Sequence, residues 1–300
     1  MRKHSKLNRF TPYDYIIVMI VVLITVIIVY PLYYTVIASF SDSTEVYSGH
    51  TFLWIKGFTL DAYRNILKEK IIWIGYRNTI IYTFAGTLYN LVLTIPAAYV
   101  LTKRDMPFKG FMSWFFFLTM YVSGGMIPSY LLVKQLGLVN SPLVMIVGAG
   151  VSCYNLIVTR QYFATGIPAD LYEAAYIDGA GDGRCFVKIA LPLAKPIVAV
   201  MALYYGVGRW NDYYTGLLYI YKEKYFSLQQ VLNKILTSNL ELKLEGKMDP
   251  EMMAHALKQY HAAQGMKYSI IYVGSLPLLI AYPFLQKYFA KGIMIGSVKG

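Results

Sequence analysis

Charged side chains are scarce in this chain of 300 residues, 15% of the total against 57% hydrophobic. A mean hydropathy of +0.45 means more apolar surface than a soluble domain of this length could bury, so lipid is the expected solvent for much of it. Cysteine is almost missing. Of the two present, the span map below puts Cys153 at mid-membrane and Cys185 in a loop, which excludes a disulfide framework. The four histidines, His4, His50, His255 and His261, have no Cys or carboxylate partner at metal-ligand spacing, so no metal site is expected. A G-x-x-x-x-G-K-[ST] run is absent. The cluster Gly179-Ala180-Gly181-Asp182-Gly183 follows a helical pattern and lacks the lysine a phosphate loop needs. Ser/His/Asp, Cys/His and paired-carboxylate arrangements are missing too, which disfavours an enzyme.

What the chain has in quantity is apolar run length. No charge occurs between Asp14 and Asp42, and at 1.5 Å per residue that stretch can cross a hydrocarbon layer of roughly 30 Å. Its basic preface, Arg2, Lys3, Lys6 and Arg9, resembles a secretory n-region, but the run is too long and further spans follow, so the segment is read as retained. The same reasoning predicts an all-α integral membrane protein with six transmembrane helices, at about 15–39, 79–102, 110–133, 142–160, 196–221 and 268–286. Residues 15–290 then make one membrane domain between tails 1–14 and 291–300, with loops 160–195 and 222–267 on opposite sides. The 29 tyrosines suit headgroup boundaries or a polar path between helices. The net charge of +12 is scattered between apolar spans rather than gathered into a stripe with interleaved aromatics, so anionic lipid explains it better than nucleic acid.

Six spans put both ends on one side. If that side is the cytoplasm, the Lys and Arg outside the spans divide fourteen inside to thirteen outside. The outside set lies largely in two long loops, where charge has little influence on orientation, while the tight Lys103–Lys109 turn and the N-terminal tail favour cytoplasmic ends. In loop 222–267, Leu228, Val231, Leu232, Ile235 and Leu236 follow the spacing of an amphipathic helix. Asp249-Pro250 reads as the start of a second helix closed by Gly265. Their apolar faces are covered either by the membrane surface or the loop itself, or by an external partner.

Several polar side chains fall within the spans. Arg209 and Asp212 lie three apart on the fifth, sharing a face where they can neutralise one another. An ion pair fixing that span and a direct role in a path, with Asn211 alongside, are both open readings. Tyr89, Asn90, Tyr130, Asn155 and Tyr205 are able to stack on sugar rings or bond to hydroxyls, and equally able to serve helix packing.

One loop carries more information than the rest. Between spans four and five runs Ile167-Pro168-Ala169-Asp170-Leu171-Tyr172-Glu173-Ala174-Ala175-Tyr176-Ile177-Asp178-Gly179-Ala180-Gly181. Pro168 and Asp170 suit a helix start, and Gly179 suits a left-handed stop. Leu171, Ala174, Ala175 and Asp178 are expected along one side, the alanines allowing close approach. At about three turns the helix is too short to be stable alone and needs docking.

The full pattern is E-A-A, three residues, Gly179, nine residues, then Ile189-x-Leu191-Pro192. It resembles the EAA loop of permease subunits of binding-protein-dependent ABC importers. Trp210-Asn211-Asp212, the ending Val298-Lys299-Gly300 and nearly the full length resemble the MalG-like permeases of the carbohydrate uptake class. The tract Met120-Tyr121-Val122-Ser123-Gly124-Gly125-Met126-Ile127-Pro128 resembles the LplC-like branch. The loop between spans five and six is longer than in MalG. The resemblance implies a type I ABC importer permease fold with a cytoplasmic EAA coupling helix, in the bacterial cytoplasmic membrane. It implies that Glu173, Ala174, Ala175, Asp178, Gly179, Ile189, Leu191 and Pro192 couple to an ATPase. It further implies a second homologous permease, two ABC ATPase subunits that bind the ATP and Mg, an extracytoplasmic sugar-binding protein and an oligosaccharide substrate, with no cofactor on this chain. A permease for a non-sugar solute would share the E-A-A loop without the Gly124–Pro128 and Trp210–Asp212 tracts. A secondary transporter would have no use for a docking helix.

Overall fold

Apolar sequence that no other part of the chain covers is the first thing the tertiary structure displays. In the computed structural model, which describes residues 12–103, 105–148, 150–238, 260 and 265–283, the helix Pro12–Ser39 has none of its most apolar 18-residue window buried. Ile16, Ile17, Val18, Met19 and Ile20, consecutive residues that circle the helix, are all about half exposed or more. A helix apolar all round with nothing packed on it is one whose solvent is lipid. No strand occurs among the described residues.

The chain forms two units, Met1–Lys68 with Ile235–Val273, and Glu69–Lys234 with Gly274–Gly300. In the first, the end of Pro12–Ser39 meets the helical residues 265–273. The Thr35 hydroxyl lies 2.9 Å from that of Tyr272, Ser269 donates to the Ser39 carbonyl at 3.2 Å, and Tyr34 meets Tyr268 edge-on at 5.6 Å. Gly265 is itself helical; Asp249, Pro250 and the tail 291–300 lie outside the described residues.

The second unit is organised by Lys70–Val100, 31 residues that contain the second expected span up to its last two residues. Lys195–Trp210, Cys153–Thr165 and Pro142–Val147 all pack against it. Its lower end joins one apolar core of Ile95, Ala98, Tyr99, Leu156, Phe163, Ala190, Ala194 and Met201; a second core gathers Tyr82, Val144, Met145, Tyr219 and Ile220. The amphipathic stretch after span five is the helix Leu228–Ser238. Ser227 and Gln230 cap it reciprocally: the Ser227 N–H donates to Gln230 Oε1 at 3.1 Å, and the Gln230 N–H to Ser227 Oγ at 3.4 Å. Its buried Leu228 and Val231 lie on Gly75 of the long helix, where a Cβ would sit 3.1 Å from both, and the Leu228 N–H donates to Thr79 Oγ1 at 2.7 Å. A helix of this chain, rather than the membrane surface or an outside partner, therefore covers that part of the apolar face.

Only two helices among the described residues, Pro12–Ser39 and Lys70–Val100, are each long and apolar enough to cross a membrane. A third crossing is possible if Asp182–Leu193 and Lys195–Trp210, bent by 77°, count as one. The sixth expected span is helical without a break from 268 to 283, its last three residues lying outside the described ones, whereas the third, fourth and fifth are interrupted. Residues 110–133 fall in Lys109–Leu118 and Met126–Gln135, separated by a stretch ending at Gly125, whose φ of +87° suits glycine. Residues 142–160 fall in Pro142–Val147 and Cys153–Thr165, the second started by Ser152, whose Oγ accepts from the Asn155 N–H. The fifth breaks at Asn211, between Lys195–Trp210 and Tyr214–Tyr219. Apolar composition shows that a segment can enter lipid, not whether it does so as one helix.

Candidate functional site

The E-A-A sequence forms the helix Ala169–Ile177. Its end follows from one glycine. With Gly179 at φ +75°, the Gly179 N–H reaches the Tyr176 carbonyl at 3.0 Å and the Ala180 N–H the Ala175 carbonyl at 2.9 Å, the paired bonds of a Schellman stop. Asp178 is the C-cap. Glu173, Ala174, Asp178 and Gly179 are exposed and Ala175 is half-buried, so the two alanines straddle the edge of the helix's inner face rather than sharing one side. Leu171 and Ile177 are also exposed, Ile177 at 86%. Downstream, half-buried Ile189 lies in a π turn, Phe186–Ala190, and exposed Leu191 and Pro192 open the next short segment. Proline at 192 has no N–H to continue an α ladder, which fits a change of helical pitch just before it.

What holds the inner face is a cage absent from the sequence reading. Lys103, just past the end of Lys70–Val100, points its ammonium at three rings: Tyr99 at 4.6 Å, Tyr172 at 4.8 Å and Tyr176 at 5.2 Å. It donates to the Tyr176 hydroxyl at 2.6 Å and pairs with Asp182 at 3.1 Å, while that hydroxyl donates to Asp182 Oδ1 at 2.7 Å. Burial works against the ammonium, but the surrounding hydrogen bonds, that to Tyr176 first, outweigh it and raise the Lys103 pKa. Asp182 is held below the usual carboxylate range by its bonds to Tyr176 and Lys103. A depressed acid adds stability above its ordinary pKa and loses it as pH falls through the lowered value; a raised base loses its share only as pH climbs through its own. The cage is therefore complete throughout the neutral range. Tyr99 extends it inward, against Phe186 at 5.0 Å and Phe163 at 5.7 Å. Spacing alone could not have found this cage, because its members come from three separate segments.

The expected path residues separate into two groups. Asn90, Asn155, Tyr205 and Arg209 are buried, and three of them bond to backbone in or just before the break in span four. Arg209 Nη1 donates to the Met145 carbonyl at 2.8 Å and its Nε to Asn90 Oδ1 at 3.2 Å. Asn90 Nδ2 donates to the Gly150 carbonyl at 2.5 Å. The Tyr205 hydroxyl accepts from the Ser152 N–H at 3.2 Å and lies 2.7 Å from the Thr94 hydroxyl. At membrane depth, backbone groups freed by a break must find partners inside the protein, and these side chains supply them. The guanidinium also sits where a helix C-terminus favours a cation, at the end of Pro142–Val147.

Asp212 differs from the sequence expectation in one respect. Lys195–Trp210 stops before it, so it does not share a helix with Arg209; its Oδ1 accepts from the Thr215 N–H at 3.0 Å. Asn211, exposed, accepts from Gln229 at 3.5 Å. Tyr130 stacks on Tyr219 at 5.8 Å, and half-buried Tyr89 lies beside Gly150.

Gly86 makes room for the arginine. A Cβ there would lie 2.9 Å from Arg209 Nε and 3.2 Å from Cδ. Gly86→Val is expected to push the guanidinium off Asn90 and cost about 1–3 kcal/mol, read as lower thermal stability of the purified protein, with Gly86→Ala milder.

An all-helical chain with apolar helices long enough to cross a membrane is of the integral membrane class, and similarity to known proteins gives its family. The chain belongs to the binding-protein-dependent transport system inner membrane components, whose pattern it matches over residues 71–295. It is 37% identical over 279 residues to protein LplC of Bacillus subtilis, covering 91% of this chain and 90% of that one. It is 35% identical over 288 residues to the polygalacturonan/rhamnogalacturonan transport system permease protein YtcP of the same organism, covering 96% and 98%. In structure it is similar, with a TM-score of 0.81 and 30% identity over 94% of this chain and 99% of the other, to a chain of a bacterial ABC transporter involved in the import of the acidic polysaccharide alginate. It is thus a multi-pass, non-catalytic inner membrane subunit of an ABC importer, working with ATPase, binding-protein and partner permease subunits.

Proposed function

We propose that this chain moves an oligosaccharide across the cytoplasmic membrane by alternating access, paired with a second homologous permease above two ABC ATPase subunits that bind the ATP and Mg. A sugar-binding protein outside the membrane delivers the substrate, and six spans leave both ends in the cytoplasm. The observation that carries this reading is the Ala169–Ile177 helix, which presents Glu173, Ala174 and Ile177 outward while its other face is held by Lys103. A short helix built this way has an outer surface ready for a cleft in an ATPase. Closure of the ATPase pair on ATP would move that helix as a rigid body and open the path outward, and hydrolysis would let it return.

The saccharide class is supported by the relatives, since those similar over nearly the whole chain include permeases named for polygalacturonan and for arabinooligosaccharides. The buried Asn90, Tyr205 and Arg209 are read as bracing of the broken span, leaving Tyr89, Tyr130, Asn155, Asn211 and Asp212 as candidates for sugar contact. The test is to purify the transporter with its binding protein and measure ATP hydrolysis against oligogalacturonides, arabino-oligosaccharides, malto-oligosaccharides and, for contrast, short peptides. Stimulation by one of the glycans is expected. Stimulation by peptides alone would overturn the saccharide reading.

A further inference from the structure

The E-A-A helix is joined by the chain itself to Cys153–Thr165 on one side and, through the bent segment, to Lys195–Trp210 on the other. The Lys103 cage adds a third attachment, to a helix the chain does not connect directly to that loop. Tyr172 and Tyr176 lie four apart, so they share the inner face and both rings turn toward the ammonium. Tyr99 comes from the long helix and Asp182 from the turn after Gly179. The Lys103 side chain is only 22% exposed, a partly desolvated setting in which cation–π contacts and ion pairs gain strength.

The receiving end is fixed as well. Lys109 Nζ donates to the Thr102 and Lys103 carbonyls at 3.1 and 2.9 Å, and Arg160 Nε to the Leu101 carbonyl at 3.2 Å. A push entering the outer face of Ala169–Ile177 thus meets, on the inner face, a lysine whose backbone is itself braced. Further along the helix it reaches Asn90, which holds Arg209 and Gly150. Close-packed elements transmit such displacements instead of absorbing them.

We propose that the Lys103 cage is a transmission joint that passes displacement of the Ala169–Ile177 helix to Lys70–Val100, making Lys103 a positioning residue of the transport cycle. This rests on the docking role proposed above for that helix. The test uses the complete transporter in lipid vesicles with Cys153 and Cys185 replaced by serine. Trp73→Cys, 58% exposed in the parent near the opposite end of the long helix, reports movement through its rate of labelling by a maleimide, with and without ATP plus vanadate. The rate is expected to change on vanadate trapping in the parent and with Lys103→Arg. With Lys103→Met that change should shrink at least about fivefold while the ATPases stay bound and hydrolyse ATP. Asp182→Asn serves as a second, milder variant. A parent rate that does not respond, or a full response in Lys103→Met, overturns the inference. So does loss of the ATPases from both variants, since the cage would then serve assembly. If Glu173→Lys uncouples the transporter while Lys103→Met does not, the joint fails and the docking reading survives; if both behave as wild type, the docking reading itself fails.

Discussion

Replacing Arg209 with methionine is expected to destabilise the subunit rather than merely change what it transports. The substitution leaves the Met145 carbonyl and Asn90 Oδ1 without the donor that now reaches both. A buried acceptor that loses a donor in this way costs about 1–3 kcal/mol where nothing replaces it, and lipid offers no water to compensate. Removing the charge offsets part of this, because an arginine at mid-membrane carries an insertion cost of about 2.5–3.5 kcal/mol. The loss left over should appear as a lower unfolding temperature and a poorer yield of assembled complex in detergent. Arg209→Lys should rescue little, since a single ammonium cannot reproduce the forked reach to a carbonyl on one element and an amide on another. Asp212→Asn should be mild, because an amide oxygen can still accept from the Thr215 N–H. If Arg209→Met assembled with normal stability but altered glycan affinity, Arg209 would belong to the sugar path and not to the bracing.

Glu173→Lys is expected to do the opposite, sparing the fold and breaking the cycle. Glu173 is exposed on the helix, and exposed substitutions away from caps and cores usually shift stability by no more than about 0.5 kcal/mol. Insertion and yield should therefore match the parent. Reversing the charge at the centre of the outward face should disturb a partner that fits that face, so uptake per ATP hydrolysed should fall at least about fivefold in vesicles. Glycan transport and ATP hydrolysis measured together give the ratio, and a ratio equal to the parent's would remove Glu173 from the coupling surface.

The E-A-A loop shows how far a sequence pattern reaches. Pro168, Asp170 and Gly179 announce the ends of a short helix, and each acts locally, within a turn or so of its own position. The spacing could not tell which alanine faces outward, because that depends on what the inner face meets. Lys103 illustrates the same limit from the other side. In sequence it is one more basic residue in a turn; in the folded chain it draws Tyr99, Tyr172, Tyr176 and Asp182 together. The polar residues within the spans were visible one by one, yet their bonding to Met145, Gly150 and Ser152 depends on a break in span four that apolar composition does not display.

Sequence alone determined the solvent of this protein, the helical class that lipid requires and the one loop with a recognisable role, since hydropathy, capping and close spacing are written along the chain. Tertiary structure decided which apolar runs stay whole, which polar groups brace one another and what grips the E-A-A helix. Those outcomes depend on contacts between residues far apart in the chain, whose energies exist only once the helices have packed.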